Sequence, residues 1–141
     1  MAIGKKFPHQ MTTTSPTRPA SEIRSANMIL LRHGETVFNR FFSTKRIDPG
    51  IRDPKLTDCG REQAQIVADT LRNEPITRLI SSPYTRALET AEIIARTLDV
   101  PIAVDPLVRE RCAFSCDVGS SVSKLAVTWR SMDFDHIDEK I

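Results

Sequence analysis

The chain has 141 residues, 40% hydrophobic and 27% charged, which suits one globular domain rather than a disordered or membrane-embedded chain. No apolar stretch reaches the roughly 18 residues a membrane span needs and none at the N-terminus resembles a secretory signal, so a cytoplasmic protein is expected. The formal net charge is only +2, and its basic excess lies at the start, where Lys5, Lys6, Arg18 and Arg24 face Glu22 alone, so no nucleic-acid surface is expected.

In chain order, residues 1–27 contain Thr12-Thr13-Thr14-Ser15-Pro16 and no periodic apolar pattern, and are predicted to form a disordered extension. Met28-Ile29-Leu30-Leu31 is a short continuous apolar run, the pattern of a strand covered on both faces. Thr36 to Phe42 suit a short helix, and Ser43 to Leu56, with Asp48-Pro49-Gly50 and Asp53-Pro54, a loop. Next comes a helix with Ala64, Val67, Ala68 and Leu71 at i, i+3, i+4 and i+7. Pro75 ends it, Thr77 to Ser81 form a second strand, and a helix from about Tyr84 carries Ala87, Ala91, Ile94 and Leu98 on one stripe. Ile102-Ala103-Val104 is a third strand, residues 109–118 a loop, and Val122 to Trp129 a helix with Leu125, Ala126 and Trp129 facing inward. The tail to Ile141 is acidic and non-periodic.

Strand, helix, strand, helix, strand is the order of a parallel sheet flanked by helices, so the predicted fold is α/β, a three-layer sandwich with a mostly parallel sheet. Three evident strands leave exposed edges with unpaired backbone groups, so the sheet is predicted to be incomplete at the C-terminal side. Residues 28–141 would then be a partial domain.

Ligands bind beyond the carboxyl ends of strands in such sheets. Arg32-His33-Gly34-Glu35 lies at the first of those ends. A neutral imidazole there can attack phosphorus, the arginine offers a planar fork to phosphate oxygens, and Gly34 permits a sharp turn or a close ligand approach. At the second strand end Ser81-Ser82-Pro83 leads into a helix with Arg86 in its first turn, where free amides also favour an anion. Taken singly, His33 could be a packed or capping residue and Arg86 a solvated helix residue; side by side they predict a phosphate site. Cys59, Cys112 and Cys116 form no paired motif, so neither a disulfide nor a zinc site is expected.

Four ordered motifs between residues 28 and 111 resemble the histidine phosphatase superfamily, which includes cofactor-dependent phosphoglycerate mutases and acid phosphatases. They are Leu31-Arg32-His33-Gly34-Glu35-Thr36 with Asn39, Leu56-Thr57-Asp58-Cys59-Gly60-Arg61-Glu62-Gln63-Ala64, Ser81-Ser82-Pro83-Tyr84-Thr85-Arg86-Ala87-Leu88-Glu89-Thr90-Ala91, and Leu107-Val108-Arg109-Glu110-Arg111. The resemblance implies that His33 is a nucleophile that becomes phosphohistidine, that Arg32, Arg86 and Asn39 bind the phosphoryl group, and that Glu110 protonates the leaving oxygen. It implies a small phosphorylated substrate and no metal or other cofactor, since a covalent histidine and arginines do what a cation would do.

The family's second active-site histidine, normally followed by a glycine after another strand, has no counterpart here. His136, in Asp133-Phe134-Asp135-His136-Ile137-Asp138, lacks both the preceding apolar strand and the small residue after it, and reads as an acid-flanked surface histidine. With the thin sheet, this predicts a chain cut short at its C-terminal side. Phosphomonoester hydrolysis is the expected activity. It is preferred to a phosphoglycerate mutase-type phosphotransferase, a further alternative, because the rim from Phe42 to Lys55 lacks the Asn-Arg-Phe and Gly-Trp elements of a mutase. A truncated, catalytically weak or inactive phosphate-binding fragment is the second reading, motivated by the missing second histidine. Neither the substrate nor the oligomeric state follows from the sequence.

Overall fold

The computed structural model describes Ala2–Lys5, by their backbone, and residues 28–139. Four strands form one sheet in the order β2-β1-β3-β4, where β1 is Ala2–Lys5, β2 Met28–Leu30, β3 Ile76–Ser81 and β4 Ile102–Val104. β2, β3 and β4 run the same way, as expected of a mostly parallel sheet, and β3 pairs directly with β4 through Leu79↔Ile102 and Ser81↔Val104. β1 runs against both its neighbours, pairing Ile3 with Ile29 on one side and with Leu79 on the other. Ala2–Lys5 thus depart from the disordered extension expected over residues 1–27, because a strand between β2 and β3 satisfies backbone groups that the gap would leave unpaired. Residues 6–27 lie outside the described residues.

The helices fall where the apolar periodicity predicts. Helix α1 is Val37–Lys45, α2 Asp58–Thr70, α3 Thr85–Leu98 and α4 Val122–Thr128. Thr36 caps α1, Thr57 caps α2 and Ser121 caps α4, each accepting from a backbone N–H in the first turn. α1 runs three residues past the predicted end at Phe42 and stops at Lys45, where Arg46 takes a left-handed conformation.

Helices α2 and α3 lie side by side. Ala68 and Leu71 of α2, Ile94 and Ala95 of α3, and Ile76 and Leu79 of β3 form the main core, with Ile29, Leu31 and Ile102 packed against it. Burying each of the larger aliphatic side chains contributes about 1.5–3 kcal/mol. A second cluster joins Leu88, Val104, Leu125 and Trp129 to Phe134. The tail, which has no periodic pattern, is anchored by Phe134, with Met132 and Ile137 packed against the same cluster.

Two expectations are corrected. Ala126, predicted to face inward, is exposed, because a helix as short as α4 buries only the narrow stripe of Leu125 and Trp129. The run Met28 to Leu31, predicted to be covered on both faces, is covered on one among the described residues: Met28 and Leu30, opposite Ile29 and Leu31, are 63% and 73% exposed. A continuous apolar run expresses what a strand can bury, and here one of its faces has no cover among those residues.

Candidate active site

The site forms where the chain leaves β2 and β3. Beyond β2, Leu31 to Glu35 run as an extended segment held at three points. The Gly34 N–H donates to the Thr90 hydroxyl at 3.2 Å, and that hydroxyl donates to the Arg86 carbonyl one turn earlier in α3. The Glu35 N–H donates to Gln63 at 2.8 Å. The Glu35 carbonyl accepts the Thr57 N–H at 2.9 Å.

Gly34 is needed for proximity rather than for a turn, since its φ is not positive. A Cβ on Gly34 would lie 2.2 Å from the Gly60 carbonyl oxygen, and one on Gly60 would lie 2.1 Å from that of Glu35. The paired glycines let the first turn of α2 press against the histidine segment. The close approach expected at Gly34 is thus made by backbone.

His33 is half-buried, and its Nδ1 lies 2.7 Å from the Gly34 carbonyl oxygen. A carbonyl only accepts, so Nδ1 carries the proton and in the neutral ring Nε2 keeps its lone pair. Burial pushes the His33 pKa below 6.5; the bond to the Gly34 carbonyl opposes this, and the positive charges of Arg86 and Arg32 add to it. The ring is neutral at pH 7, as a nucleophile requires.

Arg32 is exposed, and among the described residues no carboxylate pairs with it. Arg86 is held far more tightly. Only 2% exposed, it donates from Nη1 to the Cys116 carbonyl at 2.6 Å and from Nη2 to Asp117 at 2.9 Å, and it approaches Glu110 at 3.4 Å. Its Cζ lies 4.4 Å from the centre of the Tyr84 ring. Among the described residues these three bonds leave Nε–H and one Nη1–H of the five guanidinium N–H groups for another acceptor.

Asp117 is buried, which by itself would raise its pKa. The N–H groups of Ala113 and Phe114 and the charge of Arg86 outweigh burial and hold it below 3.8. Beside it, burial and the Asp117 charge push the Cys116 thiol up to about 11, so it stays protonated and unreactive at pH 7.

Asn39 is engaged by its Oδ1, which accepts the Thr36 N–H at 3.1 Å and the Thr36 hydroxyl at 2.8 Å. Its amide nitrogen is not used in that cap. Glu110 is 56% exposed at the side chain, on the loop after the turn Pro106–Val108. All five residues singled out from the sequence, Arg32, His33, Asn39, Arg86 and Glu110, line one cavity of about 190 Å³. His136 does not: its Nε2 donates to the Val104 carbonyl at 2.8 Å and its side chain is half exposed.

Sequence reasoning missed Asp117, Thr90 and Asp53. Asp53 accepts the Thr85 N–H at 2.8 Å, the Thr85 hydroxyl at 2.6 Å and the Ser120 N–H at 3.1 Å, tying the rim loop and the 109–121 loop to the start of α3. Thr90 lies one turn after Arg86 on a mostly apolar helix face, a polar placement that could have been noticed. Asp117 stands in a loop without periodicity, and nothing in its local sequence distinguishes it from a solvated aspartate.

The family model for the histidine phosphatase superfamily (branch 1) matches residues 28–131. The chain belongs to that superfamily. Among curated relatives, the Probable phosphoglycerate mutase GpmB of Yersinia pestis and that of Yersinia pseudotuberculosis are each 43% identical over 81 residues. The alignment covers 57% of this chain and 36% of the relative, so the chain spans about a third of the length of the curated relatives it matches. Two solved structures are similar. The mycobacterial glucosyl-3-phosphoglycerate phosphatase in complex with VO3 aligns at a TM-score of 0.44 and 28% identity, over 55% of this chain and 35% of that one. Mycobacterial hydrolase 1 aligns at 0.48 and 26%, over 68% and 44%.

For a superfamily member, the four motifs quoted from the sequence fall within or just around the strand ends and helix starts that surround His33. Among its described residues no group of three or more His, Cys, Asp and Glu side chains could hold a metal ion, and no helix is long and apolar enough to cross a membrane.

Proposed function

We propose that this superfamily member hydrolyses phosphomonoesters through a phosphohistidine at His33. The observation that carries the reading is the tautomer: with Nδ1–H held by the Gly34 carbonyl, Nε2 carries a lone pair in a cavity shared with Arg32 and Arg86. Charge gathers on the equatorial phosphoryl oxygens and the leaving oxygen during transfer, and fixed cations with a placed acid address both.

In the first step Nε2 bonds to phosphorus and the ester P–O bond breaks. Its electron pair stays on the leaving oxygen, which takes a proton from Glu110. In the second, a water oxygen bonds to phosphorus, the N–P bond breaks with its pair returning to Nε2, and the water proton goes to the Glu110 carboxylate. Arg32 and Arg86 bind the phosphoryl oxygens throughout, and the Asn39 amide orients them. Asp117 and Tyr84 are positioning residues that hold Arg86 in place.

The chain with a radiolabelled phosphodonor such as acetyl phosphate is expected to take up acid-labile label, and His33→Ala to abolish it. A full-length uptake in His33→Ala would sink the proposal. Incubation with 3-phosphoglycerate and a bisphosphoglycerate primer separates hydrolysis from mutase transfer, the activity named for the Yersinia relatives: inorganic phosphate without 2-phosphoglycerate is the expected result.

One observation favours an inert phosphate-binding reading instead. Among the described residues His136 is the only other histidine, and it is bonded to Val104 outside the cavity, so none of those residues supplies a second imidazole to the phosphoryl cage. Removing a single transition-state donor typically lowers kcat by about a hundredfold to a thousandfold. Phosphate binding without any label uptake would decide for that reading.

A further inference from the structure

The His33 cavity has an aromatic wall. Helix α1 places Phe38 and Phe42 one turn apart, stacked with ring centres 5.6 Å apart and planes at 14°. Phe114, from the loop before Asp117, tilts over both at 5.1 Å from Phe42 and 6.0 Å from Phe38. Phe38 is buried, whereas Phe42 is half-buried and Phe114 is 43% exposed, so two of the rings keep open surface where they line the cavity.

The wall is held in place rather than collapsed. Ser115 donates its N–H to Asp48 at 2.8 Å and its hydroxyl to the same carboxylate, and Asp117 accepts the Phe114 N–H at 3.1 Å. Four charged side chains line this cavity. Arg32 adjoins His33, while Glu110 and Asp117 are bonded to Arg86, so the charge gathers at the phosphoryl end. Among the described residues no further cation lines it to meet a second anionic group on a substrate. The volume of about 190 Å³ corresponds to roughly six waters, room for a phosphoryl group and one small ring.

Resting on the phosphate-site reading of His33, we infer that the preferred substrates are phosphomonoesters whose leaving group is a small aryl or aralkyl alcohol, seated against Phe42 and Phe114. An aromatic ring offset-stacked or edge-on to these rings leaves water with its apolar faces covered. A polyhydroxylated or carboxylated leaving group would be stripped of its water there without partners.

Binding of benzylphosphonate and methylphosphonate to the whole chain, followed by calorimetric titration, tests this without requiring turnover. The benzyl compound is expected to bind at least about tenfold more tightly, a difference of about 1.4 kcal/mol. In Phe114→Ala that ratio should fall to about threefold or less, with methylphosphonate affinity unchanged within about twofold. Phe114→Leu, which keeps the bulk and loses the ring, serves should the alanine variant fail to fold, and is expected to lower the ratio by about threefold. Equal affinities for the two phosphonates would overturn the substrate class and leave the His33 site standing. If neither bound, both readings would fall together.

Discussion

The two arginines of the site are held in opposite ways. Arg32, at the end of β2, is exposed and has no carboxylate partner among the described residues, while Arg86, in the first turn of α3, is buried under Tyr84 and bonded to Cys116, Asp117 and Glu110. One arm is free to meet an incoming anion at little cost to the fold. The other is preorganised, and the fold depends on it: an uncompensated charge in that environment would be strongly unfavourable, so Asp117 and the loop that carries it belong to the scaffold as much as to the site. In the proposed phosphate site this arrangement separates capture from orientation.

That contrast can be broken most forcefully at Asp117. Asp117→Ala should destabilise the chain by about 3–5 kcal/mol in urea unfolding, because it leaves the buried Arg86 charge with only the longer contact to the exposed Glu110 carboxylate. Pairing it with Arg86→Met should recover most of that loss, while phosphate binding is expected to be lost in the double variant. A loss below about 1 kcal/mol for Asp117→Ala would mean that the Arg86 arm is no more fixed than the Arg32 arm.

On the other arm the backbone, not the charge, is expected to matter. Gly34→Ala drives a Cβ toward the Gly60 carbonyl and should cost about 1–3 kcal/mol, as overpacking does, and displace His33 enough to impair label uptake. Thr36→Ala removes the cap of α1 and should cost about 1 kcal/mol. Arg32→Ala should change stability by less than about 0.5 kcal/mol, yet weaken methylphosphonate binding by about tenfold. An equal loss of stability from Arg32→Ala and Asp117→Ala would remove the distinction.

The arms should also separate in pH. Burial lowers the His33 pKa from 6.5, so the unfolded chain takes up this proton before the folded one does. Stability associated with neutral His33 is present above about pH 6.5 and declines as pH falls toward the lower folded value. Asp117, held below 3.8 in the folded chain, contributes stability present above that value and lost as pH falls through its folded pKa. Urea midpoints measured from pH 8 to pH 3 should show the first decline disappear in His33→Asn and the second disappear in the Asp117→Ala, Arg86→Met double variant.

Much of this was legible in the residues. Helices α2 and α3 follow their apolar stripes, and the core positions read from them, Ala64, Ala68, Leu71, Ala91 and Ile94, are buried. His33, Arg32 and Arg86 were recognisable because strand ends and helix starts bring them together in any fold of this order, and the structure brings Asn39 and Glu110 to the same cavity. The function of Gly34 was legible only in part, since close approach could mean ligand or backbone and the partner, Gly60, lies in another element. β1 escaped detection because four residues carry no period strong enough to mark a strand beside Lys5 and Lys6.

The sequence by itself determined where the secondary structure lies, which faces it can bury, and the family to which residues 28–131 belong, because periodicity, capping residues and short motifs act over a few neighbours. Tertiary structure alone decided which way the imidazole proton points, which arginine is locked, and what wall faces His33. Those outcomes depend on the Gly34 carbonyl, on Asp117 and on Phe114, the last two more than 80 residues from His33. No local pattern encodes contacts that form only when distant loops close over a shared cavity.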